Sequence, residues 1–492
     1  MLRRRDEAEG SQAAAVVRLD AAFLQADLVL VGCVLGGDPR QPLAEAVAIR
    51  GDRIAAVGAA EEILKAAGPR ARVLGDRSST VVPGFVDAHL HFVALARRRS
   101  DVDCSRERAA SVAEILARIA EAAAGLPGGA WIRAFGYDEA LLAERRAPTP
   151  AELDRAAPGH PVRLLHRTGH AAVLSGAAFA ELGLAVREMI VEPGELLRGK
   201  LPKPGLEEMR RLAELASDEL LAAGVTAFHD LTPGKDVRAI EDLHAWVRDR
   251  TIRQRVAAYA DRESFSGARE DGERFVVPGV KIVVTEESDP EELAVEVAEC
   301  DRAAARVALH AVEGGPLVFA IGALSRLGRD RVRTRRHRIE HASLCPPALQ
   351  HELAACGATV VTHPCFLSRF GAKYRREIDA DEHESLYPLR GFCEAGVPVA
   401  LGSDAPIAAA EPLANVAAAT LREDENGEPL GPGQRISAAD ALAMHTENGA
   451  LIPGRRADVV VLETDPTAVA PREIAVIGVR ATVIAGEVAW AR

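Results

Sequence analysis

Two textures of apolar and polar residues follow one another along this chain of 492 residues. Near the start, ADLVLVGCVLGG and EAVAIRGDRIAAVG are short Val/Ile/Ala runs broken by turn residues, with Arg50-Gly51-Asp52 as one tight connection. Near the finish, GRRADVVVLETDP and IAVIGVRATVIAGEVAW repeat that texture. Neither end holds enough strands for a stable sheet alone. Residues 25–80 and 450–492 are therefore expected to pair as one small β-sandwich, with the rest of the chain inserted between its halves.

From Val81 the pattern changes to apolar strands alternating with amphipathic helices. Eight strands are predicted: VVPGFVDAH (81–89), GVTAFHD (224–230), RQRVAAYAD (253–261), GVKIVV (279–284), RVALHAVE (306–313), RRHRIEH (335–341), ATVVTHP (358–364) and VPVALGSD (397–404). Segments such as LEEMRRLAELASDELLAAG and PEELAVEVAECDRAAA carry Leu/Ala stripes at helical spacing between them. Strands alternating with helices predict a parallel sheet, and eight of them predict an α/β fold of the (β/α)8 barrel type over 81–449. The interval between the first two strands, about 93–205, is far too long for one helix. Its WIRAFGYDE and PVRLLHRTGHAAVLS segments are read as an excursion covering the barrel mouth. Residues 1–24, polar and alanine-rich, are expected to form a flexible tail.

Composition then narrows the function. A formal charge of −12 argues against a nucleic-acid groove as the main business. No apolar run is long enough to span a bilayer, and the N-terminus lacks the apolar core of a signal peptide. The seven cysteines are scattered without a CxxC spacing, which disfavours a disulfide framework or a thiolate zinc site. A cytoplasmic protein acting on a small molecule is the expectation, with a homodimer as the default for an enzyme of this size.

The candidate chemistry sits at the predicted strand ends. His89 and His91 in DAHLH lie one residue apart on a strand, so both imidazoles face the same side and can hold one metal ion. The fourth strand carries Lys281, the fifth ends at His310, the sixth at His341 and the eighth at Asp404. Taken singly, each has an ordinary explanation, as a satisfied polar group or a helix cap. Barrel active sites gather at the C-terminal strand ends, so these six residues are expected to meet in space. Imidazoles and a carboxylate suit divalent zinc or a similar ion.

PGFVDAHLHF, GVTAFHD, GVKI, ALHA, RIEHAS, GSDAPI and the closing GRRADVVVLETDP resemble the amidohydrolase superfamily, and more narrowly its YtcJ-like branch, which includes N-substituted formamide deformylases. The resemblance runs from about Ala26 to the end of the chain. It implies that His89 and His91 bind the more buried metal and His310 and His341 the second. It also implies that Lys281, carbamylated by carbon dioxide, bridges both ions, two zinc or alternatively manganese, iron or cobalt. Two divalent ions lower the pKa of a shared water so that hydroxide exists at neutral pH. Asp404 would touch a metal, accept the proton and deliver it to the leaving nitrogen. The implied reaction is hydrolysis of an amide-type C–N bond, in an N-acyl or N-formyl amine or a cyclic amide. A mononuclear aminoheterocycle deaminase using His89, His91, His310 and Asp404, or a catalytically silent metal-binding protein, are the competing readings.

Further residues are pocket candidates. His170 in RTGHAAVLS resembles a family position that reaches substrate from the excursion. His229, ending the second strand with Asp230, is expected to orient a ligand or satisfy local backbone. His363 in VTHP stands where relatives often carry Gln-Pro and is expected to face substrate, with Phe366, Arg369 and Tyr374 following. Glu340, by alternation from His341, is expected to point away as a barrel–helix salt-bridge partner. The family's usual Asp-Gly after the strand-four lysine and Gly-Asp after the strand-five histidine are absent, which remodels the pocket without touching the metal residues.

Overall fold

The computed structural model describes residues 25–36, 44–169, 171–191, 197, 200–202, 204–447 and 450–492. The tail expected over 1–24 and the pocket candidate His170 lie outside the described residues. All eight predicted barrel strands form: Phe85–Leu90, Val225–Asp230, Arg255–Ala258, Gly279–Val283, Arg306–Ala311, Arg338–His341, Thr359–Thr362 and Val399–Leu401. They are called the first to eighth strands below.

The first three strands pair in parallel, as do the fourth to eighth. Parallel bridges Ala260↔Val280 and Leu90↔Ala405 join the edges of the two groups. The result is a TIM-barrel-like α/β arrangement. Between the third and fourth strands no helix intervenes. Instead Arg269–Asp271 and Phe275–Val277 make an antiparallel hairpin, and Phe275–Val277 extends the sheet from the third strand. The charged run REDGERF gave no strand signal, and its exposed hairpin arm Arg269–Asp271 needs none.

Elsewhere the helices expected from periodicity are present. Leu206–Ala222 buries Met209, Leu212, Ala213, Ala216, Leu220 and Leu221, residues three and four apart on one stripe. Pro290–Arg302 starts where Asp289 accepts hydrogen bonds from the Glu291 and Glu292 amides, with Pro290 at the first helical position. Apolar side chains of strands and helices pack against each other in two large clusters outside the barrel. A small cluster of Leu231, Tyr259 and Ala308 lies apart from these, and its Ala308 shares a strand face with His310.

Both chain ends contribute to one hydrogen-bonded seven-stranded sheet. Its order is Glu487–Ala491, Val479–Ile484, Val459–Leu462, Arg72–Pro83, Leu28–Val34, Ala46–Arg50, Arg53–Gly58. The sequence reading expected a sandwich there; the pairing joins all seven strands edge to edge. The seam is the antiparallel register Val459↔Pro83 to Leu462↔Thr80. One residue later Gly84 leads into the first barrel strand. A Cβ there would lie 2.3 Å from Thr226 Oγ1, so only glycine lets the chain cross the second strand so closely.

The excursion forms its own five-stranded sheet, ordered Ile190–Val191, Ala171–Leu174, Val162–His166, Ile132–Tyr137, Val102–Asp103. Arg167, just past one of these strands, donates to the Arg369 carbonyl at 2.6 Å. Arg369 belongs to the helix Cys365–Glu377 after the seventh strand, so the excursion is tied to the C-terminal side of the barrel. Tyr137 is fully buried, and the Arg98 guanidinium lies 3.9 Å over the Phe135 ring, so both aromatics act in packing. No described helix is long and apolar enough to cross a membrane.

Candidate metal centre

His89 is buried near the end of the first strand. The Asp87 carboxylate two residues before it accepts from the His89 amide at 3.2 Å, from the Ser403 amide at 3.0 Å and from the Ser403 hydroxyl at 2.5 Å. That carboxylate thereby ties the first strand to the loop after the eighth. Gly402 allows the approach, since a Cβ there would lie 2.7 Å from the His89 amide nitrogen. Asp404 follows with its backbone in the left-handed region, φ 56°, and donates its amide to the His89 carbonyl at 2.7 Å. The turn brings the Asp404 carboxylate to 2.8 Å from His91 Nε2 and 3.5 Å from His89 Nε2.

The sixth strand supplies two inward groups in succession. Arg338 and Glu340 point into the barrel, as a period of two requires. Glu340 Oε2 lies 2.6 Å from His89 Nδ1 and 2.7 Å from Arg338 Nη2, and Oε1 bonds Arg338 Nε. The expectation that Glu340 points away toward a helix is therefore corrected. It failed because His341 leaves regular strand geometry. With φ 74° at His341 and 42° at Ala342, the chain swings the His341 ring inward as well. His341 then lies 4.4 Å from the His310 ring, 5.0 Å from His89 and 4.8 Å from His363, centroid to centroid.

Donors of fixed identity settle the ring states. A carboxylate only accepts, so His89 Nδ1 donates to Glu340 and its Nε2 presents a lone pair. Arg338 only donates. Its Nη1 lies 2.7 Å from His229 Nδ1, so that nitrogen accepts and the His229 proton sits on Nε2, 3.8 Å from Glu447. His229 thus braces the Arg338–Glu340 pair from the second strand. Asp230 is instead occupied by Lys235 at 2.8 Å.

Charge follows from burial. Burial pushes His89 and His341 well below the usual imidazole range, and takes His310 down to about 4 with Lys281 adding to the fall. All three are neutral ligands-in-waiting at neutral pH. Burial raises Asp404, but His89 and His91 outweigh it and hold the carboxyl below its ordinary value. Burial draws the Lys281 amine down to about 8, against the opposing pull of Glu340. Among the described residues, Lys281 Nζ, His341 Nε2 and His363 Nε2 are buried without a hydrogen-bond partner.

Of the six residues expected at the strand ends, His89, His91, His341 and Asp404 fall into two ligand groups within reach of a single ion, while His310 packs against His341 and Lys281 belongs to neither group. His89, His91 and Asp404 form one, and His89, His341 and His363 the other. The donor atoms, neutral imidazole nitrogens with one ionised carboxylate, suit a divalent metal. A third group, Asp138, Glu139 and His166, lies on the excursion, but Asp138 is already paired with Arg167 at 2.5 Å.

This fold and this cluster define a class. The chain matches the model of the amidohydrolase family over residues 78–489, and it belongs to that family, hydrolases acting on carbon–nitrogen bonds. It is 27% identical over 537 residues to the N-substituted formamide deformylase of Arthrobacter pascens, covering 95% of this chain and 98% of that one. It is 23% identical to the YtcJ protein of Bacillus subtilis, over 89% and 96% of the two chains. Among solved structures, a metal-dependent hydrolase from Pyrococcus horikoshii shares the fold with a TM-score of 0.73 at 22% identity, over 90% of this chain and 99% of that one. The zinc complex of atrazine chlorohydrolase TrzN from Arthrobacter aurescens aligns at a TM-score of 0.53 and 18% identity, over 94% of each.

Proposed function

We propose that this protein hydrolyses an amide-type C–N bond of a small molecule, an N-acyl or N-formyl amine or a cyclic amide, with divalent metal held by His89, His91, Lys281, His310, His341 and Asp404. The observation that supports the reading is that His89, His91, His341 and Asp404 fall in ligand groups within reach of one ion, with His341 Nε2 and Lys281 Nζ buried and unpartnered. The deformylase relative points the same way, since the name of that enzyme describes hydrolysis of a formamide. In this reading residues 81–449 form the catalytic barrel, and 25–80 with 450–492 the accessory sheet.

Each side chain then has a task. His89 offers Nε2 because Glu340 holds its other nitrogen, and His91 stands beside it against Asp404. Lys281 would serve as a metal ligand only as its carbamate, because an ammonium has no lone pair to offer. Burial draws its amine down to about 8, which, relative to an ordinary lysine, favours the uncharged form that adds carbon dioxide. Divalent metal held by these residues, two zinc ions in this reading, would supply Lewis acidity toward the substrate carbonyl and toward water. Asp404, ionised and 2.8 Å from His91, takes up a proton from water and releases it to the leaving nitrogen.

Asp404→Asn tests the assignment. The substitution is expected to lower turnover at least 100-fold on whichever substrate emerges from a screen of N-formyl amines, N-acyl amines, cyclic imides and aminoheterocycles. Metal content should stay near that of the parent. Full activity in the variant sinks the role of Asp404. A single-ion deaminase is the second reading, because His89 belongs to both ligand groups. About one ion per chain and turnover confined to aminoheterocycles would favour it.

A further inference from the structure

We infer that His363, from the end of the seventh strand, is an additional metal ligand rather than a substrate contact. The inference rests on the metal-centre reading above and assigns a residue outside its ligand set.

His363 is fully buried. Its Nδ1 lies 2.9 Å from the Gly402 carbonyl, which can only accept, so the ring proton is on Nδ1 and Nε2 carries the lone pair. The Gly402 carbonyl is shared with Asn415 Nδ2 at 3.0 Å, and Asn415 Oδ1 accepts from the Cys365 amide at 2.9 Å. The imidazole is therefore keyed on its Nδ1 side by the Gly402 carbonyl, which Asn415 in turn fixes to the Cys365 amide. Phe366 stacks on the ring with centroids 5.3 Å apart and planes 30° from parallel. Both contacts leave Nε2 aimed at the histidine cluster.

There it has no hydrogen-bond partner, and neither does His341 Nε2. An unpartnered buried acceptor is costly, and two of them meet here. The ligand nitrogens of His89, His341 and His363 all lie within 4.8 Å of one another. Three nitrogens bound tetrahedrally to one zinc are about 3.3 Å apart, so small rotations of the rings close the gap. With His89 donating to Glu340 and His363 to Gly402 through Nδ1, neither ring has a proton left to offer the other. A cation satisfies such a set of lone pairs. A substrate carbonyl, itself an acceptor, does not.

The test uses the full chain, with zinc as the probe. A crystal of the zinc-loaded parent, with ions located by anomalous scattering, is expected to place one ion within about 2.3 Å of His363 Nε2. Zinc present with every ion beyond 3 Å or so of that nitrogen overturns the inference and leaves the metal-centre reading standing. In solution, His363→Gln should bind zinc at least tenfold more weakly in chelator competition and show an altered visible spectrum when cobalt replaces zinc. A folded variant that matches the parent in affinity and cobalt spectrum, with only KM raised, makes His363 a substrate contact and overturns the proposal. A parent chain that binds no zinc overturns the proposed function itself, an outcome read from the parent alone.

Discussion

At the scale of single residues, the centre is governed by who can donate and who can only accept. Glu340 accepts from both His89 and Arg338 inside the barrel, so its removal strands a guanidinium in a site closed to water. Glu340→Gln is expected to cost about 3–5 kcal/mol in denaturant unfolding, whereas the double variant Glu340→Gln with Arg338→Met recovers most of that stability because no lone charge remains. Both should bind metal about 10–100-fold more weakly, since His89 loses its orienting carboxylate. Equal metal affinity in the stable double variant would remove Glu340 from this role. His445, buried at the foot of the first strand with Nδ1 3.2 Å from the Val86 carbonyl, offers a pH readout. Burial lowers it to about 4, so the folded chain binds fewer protons there than the unfolded chain once the pH falls below about 6.5. Its contribution is therefore intact at pH 7.5 and falls as the pH drops, by about 2 kcal/mol at pH 5. His445→Gln should shrink the difference in unfolding free energy between those two pH values by that amount; an unchanged difference would show that the imidazole takes up its proton within the fold.

At the scale of elements, the barrel was legible because its strands are short, mostly buried runs that end in or lead into chemistry-bearing residues. Phe85–Leu90 has no exposed position, and Arg338–His341 none either. The hairpin Arg269–Asp271 and Phe275–Val277 was not legible: one arm is three charged, exposed residues that owe their extended shape to pairing with the other. Glu340 shows a different limit. Alternation was the right rule, but it was counted from His341, the one residue of that strand whose backbone has left it. A left-handed residue at a strand end puts two consecutive side chains on one face, and nothing in the letters RIEHAS announces it. The partnership of Glu340 with His89, 251 positions away, was equally out of reach, because only the closed sheet brings the first and sixth strands across from one another.

At the scale of the whole molecule, the barrel and the terminal sheet share their seam. Asp458, just before the Val459–Leu462 strand, holds Arg255 of the third barrel strand at 2.8 Å, and its carbonyl accepts from the Gly84 amide at 2.9 Å. A chain truncated after residue 450 loses three of the seven strands in that sheet and exposes the Thr80–Pro83 edge. It is expected to lose cooperative unfolding and zinc binding together, as followed by circular dichroism and chelator competition. A truncated chain that still binds zinc tightly would show that the barrel sets the His89 register unaided.

The seam also carries a consequence for synthesis. A ribosome makes a chain from its N-terminus, and the Arg72–Pro83 strand emerges long before its partner Val459–Leu462. Until that partner arrives, the strand that feeds directly into His89 has one edge open. Residues 459–462 close that edge, and they are made after the last of the metal-ligand candidates, Asp404.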